Sequence, residues 1–141
     1  MSNDQIADHF IREQQLSFNS LRNVEKTEEN QSFANTFNID RIGIRNFKKV
    51  DKKGILKFLY DFLDEDDWGN DKSDFANLLD KYSEIHNQFG DNVFYLFSKN
   101  WFAKEDKEVL KPESDIYIYY FLIITIERKS KLLTVIEWKY D

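Results

Sequence analysis

Apolar and polar positions change rhythm several times along the chain, and each rhythm predicts an element. Ile6, Phe10, Ile11 and Leu16 fall on one side of a helical wheel. That spacing predicts an amphipathic helix from Asp4 to about Asn19, with Asn3 or Asp4 as its N-cap. From Asn19 to Asn35 the chain is polar and aperiodic, which reads as a loop. Phe37, Ile39, Ile42, Ile44 and Phe47 alternate imperfectly, and a short strand over 41–47 with Gly43 at a bulge or close approach is expected. Next, Ile55, Phe58, Leu59, Phe62 and Leu63 recur at i, i+3, i+4, i+7 and i+8, a full helical stripe for which Asp51 can serve as cap. Gly54 in the first turn of this helix is expected to cost little. A second stripe, Phe75, Leu78, Leu79, Tyr82, Ile85 and Phe89, predicts another helix capped by Asp71 or Ser73 and stopped by Gly90. The two helices should lie antiparallel across an acidic connection.

The C-terminal half changes to strand character. Val93–Ser98 reads as a short apolar strand that Trp101 and Phe102 continue past a bend, and 104–114 reads as a charged surface connection. Residues 116–140 are rich in β-branched and aromatic side chains on both sides of the polar run Glu127–Lys131, the pattern of a long antiparallel hairpin. With an even turn centred between Lys129 and Ser130, Tyr119 pairs Tyr140, Phe121 pairs Trp138, Ile123 pairs Ile136 and Thr125 pairs Thr134. These form one aromatic-to-aliphatic face suited to packing on helices. The other face joins Tyr120 to Lys139, Leu122 to Glu137, Ile124 to Val135 and Ile126 to Leu133. Both faces of the first arm need cover, so that arm should be central in a larger sheet. The expected fold is α+β in one domain, 1–141: three helices packed on a mainly C-terminal antiparallel sheet.

Composition narrows the chemistry. The chain has no cysteine, which excludes a disulfide framework, a thiol nucleophile and Cys-ligated metals. Its longest apolar run, Ile116–Ile126, is too short for a membrane-spanning helix, and Met-Ser-Asn-Asp-Gln has no features of a signal peptide. A cytoplasmic protein is expected, and the abundance of Asn, Lys and Ile suits an AT-rich bacterial genome. The formal net charge is −6, but the layout says more than the sum. Residues 41–57 carry seven bases (Arg41, Arg45, Lys48, Lys49, Lys52, Lys53, Lys57) against Asp51 alone. Residues 61–74 carry seven acids (Asp61, Asp64, Glu65, Asp66, Asp67, Asp71, Asp74) against Lys72 alone.

Each chemical motif has a plainer structural reading. Asp115 before a strand, followed by Glu137-Trp138-Lys139, resembles the PD-(D/E)xK nuclease pattern. That resemblance implies two carboxylates on a divalent metal with a lysine beside the attacking water. The hairpin register, however, sets Glu137 opposite Leu122, roughly 20 Å or more along the strand from Asp115. The acidic run from Asp64 fails the calcium-loop pattern at its fifth position, Trp68, and at its twelfth, Phe75. His9 with Glu13, and the distant His86, make a poor zinc set. The basic block, with Phe47 as a stacking ring, would suit nucleic acid, but the adjoining acids can neutralise it.

What remains is recognition. Small, acidic, cysteine-free and aromatic-rich, the chain resembles toxin-immunity proteins and other stoichiometric inhibitors in profile, though in no motif. The resemblance implies a protein that neutralises a basic partner, such as a nuclease toxin, needing no cofactor or metal and catalysing nothing. Asp61, Asp64, Glu65, Asp66, Asp67, Trp68 and Asp71 would carry the contact, acids speeding encounter and the ring anchoring it. The rivals are the nuclease, using Asp115, Glu137 and Lys139, and a cone-like α+β domain with a small-ligand pocket between helices and sheet.

Overall fold

The computed structural model describes residues 2–12, 41–65, 72–90, 92–103, 106–112 and 119–140. Among them are three helices, α1 (Asn3–Arg12), α2 (Lys52–Leu63) and α3 (Lys72–Asn87). Four strands accompany them: β1 (Lys48–Val50), β2 (Phe94–Ser98), β3 (Tyr119–Glu127) and β4 (Leu132–Tyr140). The strands form one antiparallel sheet in the order β1-β2-β3-β4. The fold is α+β, and no helix among the described residues is long and apolar enough to cross a membrane.

The hairpin adopts the expected register: Tyr119 lies opposite Tyr140, Phe121 opposite Trp138 and Leu122 opposite Glu137. β3 is central, flanked by β2 and β4, and is buried from Tyr119 to Ile126. Its side chains Tyr119, Phe121 and Ile123 join a cluster with Ile55 and Leu59 of α2 and Phe75, Leu79 and Tyr82 of α3. Packed rings fill this layer: Phe62 stands edge-to-face 4.7 Å from Phe121 and 5.4 Å from Tyr119, and Phe75 lies tilted 5.2 Å from Trp138. Such pairs add to plain area burial. The even-numbered side chains Tyr120, Leu122, Ile124 and Ile126 join a second cluster with Tyr95, Phe97, Ile42 and Phe47, to which α1 contributes Ala7, Phe10 and Ile11.

Several local expectations are corrected. The first helix is capped by Ser2, not by Asn3 or Asp4: the Ser2 hydroxyl accepts the Gln5 N–H, and the Gln5 side chain accepts the Ser2 N–H in return. Its expected end near Asn19 lies outside the described residues, as does the polar stretch 19–35. The strand placed at 41–47 is a single 3-10 turn, Ile44–Asn46, and pairing begins only at Lys48. Gly43 opens that turn, its N–H donating to Asn46 Oδ1. Asp51 does cap α2, accepting the Gly54 N–H at 2.7 Å. Gly54 has a positive role beyond the low cost expected of it, because a Cβ there would collide with the Val50 side chain and approach Asp51 Oδ1 to 2.9 Å.

In α3 the buried stripe is Phe75, Leu79, Tyr82 and His86, whereas Leu78 and Ile85 are 52% and 54% exposed. After β2 the chain turns through a 3-10 segment, Lys99–Trp101, instead of continuing as strand. The expected surface connection contains two buried residues, Val109 and Leu110. The hairpin loop comprises residues 128–131 and closes with Lys131 in the left-handed region, φ 54°.

Candidate functional site

Asp61, Asp64 and Glu65 are exposed at the C-terminal end of α2. Asp61 pairs with Lys57 one turn earlier on the same helix. Asp64 is the C-cap, its N–H bonded to the Tyr60 and Phe62 carbonyls. Acids here face the negative end of the helix dipole, a position folding alone disfavours. Neither Asp64 nor Glu65 meets a cation among the described residues. Asp66, Asp67, Trp68 and Asp71 lie outside those residues. The structure therefore brings together three members of the expected acidic surface.

Sequence reasoning missed Tyr60. It is 38% exposed and stands on α2 next to Asp61 and one turn before Asp64. The signal was present, because Tyr60 falls outside the stripe Ile55, Phe58, Leu59, Phe62. Tyr60 thus supplies an exposed ring among acids, the role expected of Trp68.

The bases of 41–57 are exposed apart from half-buried Lys52, but most of them are engaged by neighbours in the chain. Lys48 lies over the Trp101 ring, 4.0 Å from its centroid. Lys49 pairs with Asp4 at 3.1 Å and approaches the Tyr95 ring. The Tyr95 hydroxyl also donates to Asp4, and this bond, together with Lys49, holds the Asp4 carboxyl below its ordinary pKa. Arg45 donates to the Arg41 carbonyl. Lys57 serves Asp61.

Lys52 does most. Its Nζ donates to the Phe89 carbonyl at 2.6 Å and the Asn87 carbonyl at 3.0 Å, capping the end of α3 with a cation where the dipole favours one. Its N–H donates to Asn92, and its own carbonyl lies 2.7 Å from His86 Nε2. A carbonyl only accepts, so Nε2 carries the proton. His86 Nδ1 then accepts from the Tyr82 hydroxyl at 3.0 Å. His86 is fully buried, and desolvation pushes its pKa below the usual histidine value. Burial pushes the Tyr82 phenol up. This group ties the start of α2 to the end of α3; it does not face solvent as a catalytic base would.

Of the nuclease pattern, Asp115 lies outside the described residues. Glu137 accepts from the Tyr120 hydroxyl at 2.5 Å and pairs with Lys139 at 3.4 Å, so both groups are engaged within the sheet. Among the described residues no three His, Asp or Glu side chains converge to hold a metal ion. Where a cone-like domain would keep its pocket, between helices and sheet, the rings of Phe58, Phe62, Phe75, Phe121 and Trp138 pack together. Grooves lie on the outside. One of about 490 Å³ is lined by Asn3, Gly90 and the hairpin loop, and another of about 440 Å³ runs between α3 and β4. Compared with protein-family models, curated proteins and solved structures, the chain matches none.

Proposed function

We propose that this chain is a stoichiometric protein-binding inhibitor of the immunity or antitoxin kind. In this reading it neutralises a basic toxin domain, such as a nuclease, in the bacterial cytoplasm and performs no reaction of its own. The supporting observation is the asymmetry between two neighbouring charge blocks. Five of the seven bases in 41–57, four of them at the surface, have their charge engaged by a group of the same chain, whereas Asp64 and Glu65 are displayed beside Tyr60 at a helix end that disfavours them. A basic surface docked there would supply the missing cations and speed association, with Tyr60 filling a pocket on the partner. Asp66, Asp67, Trp68 and Asp71 follow directly in sequence and extend the acidic surface in this reading.

The test is binding of the full chain to the toxin domain encoded beside its gene, measured by calorimetry at low and physiological salt. Tight, salt-weakened, one-to-one binding is expected, and it should be lost when Asp64 and Glu65, or Asp66 and Asp67, are replaced by Lys. Unchanged binding in both charge-reversed variants would overturn the acidic-surface reading. Magnesium- or manganese-dependent plasmid cleavage by the purified chain, lost in Glu137→Ala, would overturn the inhibitor in favour of a nuclease.

A further inference from the structure

The groove of about 440 Å³ between α3 and β4 has no part in the acidic-surface reading. Leu78, Lys81, Tyr82 and Ile85 line its helical side, and Ile136 and Trp138 line its sheet side. Leu78 and Ile85, each more than half exposed, give it an apolar rim about 10 Å long on the helix. Lys81 lies between them, exposed, and meets no anion among the described residues. Trp138 is 5% exposed, and its indole N–H is buried without an acceptor among those residues. The Tyr82 hydroxyl is already committed to His86. Glu137 and Lys139 border the groove, but the register puts their side chains on the sheet face of Leu122 and Tyr120, away from α3. There Glu137 accepts from the Tyr120 hydroxyl. The polar side chains left open on the α3 side are thus one cation and one N–H donor.

We infer that this groove binds an apolar carboxylate, its body against Leu78, Ile85 and Ile136 and its oxygens accepting from Lys81 and the Trp138 N–H. A buried donor left unmade is costly, which favours an occupant that brings acceptors. The lysine selects a negatively charged one, and the apolar rim selects one with a hydrocarbon body over a bare inorganic anion. A mostly apolar concavity with a few polar groups is the usual form of a small-ligand site. The indole N–H is closed off from water, so the ligand reaches it by parting the rim, where Leu78 and Ile85 have room to change rotamer. None of the acids at the end of α2 takes part, so this site and the proposed partner surface stand or fall separately.

Titration of the full chain with octanoate, octanol and octylammonium, followed by NMR, tests this. Octanoate is expected to bind one-to-one and the most tightly of the three. It should also shift the Trp138 indole N–H resonance downfield, a signal assigned through its contacts with the Tyr82 and Phe75 rings. The net charge of −6 would by itself favour the cation, so octylammonium binding as tightly as octanoate would overturn the proposal. Absence of saturable octanoate binding, or binding that leaves the Trp138 resonance unmoved, would overturn it too. Lys81→Met should weaken octanoate roughly fivefold and leave octanol unchanged. Ile85→Asp replaces an exposed side chain, so the melting temperature should hold while octanoate binding is lost. Octanoate binding indifferent to both variants would place the ligand elsewhere and sink the assignment.

Discussion

The basic stretch 41–57 and the acidic end of α2 are neighbours in sequence with opposite structural fates. In the first, charge is spent on the fold: Lys52 caps α3, Lys49 holds Asp4, Lys48 covers Trp101. In the second, only Asp61 has a described partner, and Asp64 and Glu65 stand where the helix end repels them. Charge density alone would have ranked the two blocks equally as binding surfaces. Where each side chain's hydrogen-bonding capacity goes is what separates them.

That contrast can be broken most severely through His86. Replacing it by Leu strands both the Tyr82 hydroxyl and the Lys52 carbonyl, and about 2–4 kcal/mol of stability should be lost in urea unfolding. The same residue sets a pH signature. Its pKa in the fold lies below the ordinary 6.5, so the unfolded chain binds the proton more readily. Its contribution is therefore complete above about pH 6.5 and declines as pH falls through that value towards the lower folded pKa. The urea midpoint of the native chain should drop across this window, with a shallower drop in His86→Leu.

Next in size, Lys52→Met removes the cation from the end of α3 and should cost about 1–2 kcal/mol. Gly54→Ala, which would raise intrinsic helix propensity, should instead destabilise by roughly 1 kcal/mol because its Cβ meets Val50 and Asp51. Lys57→Met breaks only an exposed pair and should change stability by less than about 0.5 kcal/mol. At the far end of the scale, Asp64→Asn and Glu65→Gln should leave stability unchanged or raised by a few tenths of a kcal/mol, while weakening capture of a basic partner. A marked loss of stability in these two variants would erase the distinction between the blocks.

Much of the scaffold was legible. The i, i+3, i+4 stripe of α2 and the pairing of β3 with β4 follow from periodicity, since one even-numbered loop fixes every partner in the hairpin. β1 was misplaced because Ile42 and Phe47, buried from a turn, mimic strand alternation, and a three-residue edge strand leaves too little pattern to read. In α3, Leu78 and Ile85 continued an apolar stripe that the fold gives instead to His86, a residue whose polarity argued against burial until its two hydrogen-bond partners were in view. The Lys52–His86 contact joins residues 34 positions apart, and no local pattern announces it. Of the acidic site, the charges were visible in sequence, but the aromatic beside them was sought at Trp68 and is found at Tyr60 among the described residues.

The Lys52 tie also reaches the opposite end of the helix it begins. α2 is about 18 Å long, and its acidic end is carried by a helix whose start is clamped to the end of α3. Tyr60, Asp61 and Asp64 are therefore preorganised: the entropy of ordering their backbone is lost on folding and not again on association. On the proposed inhibitor reading, Lys52 would then set affinity for a partner it never touches. A Lys52→Met chain should keep the electrostatically steered association rate and release its partner faster.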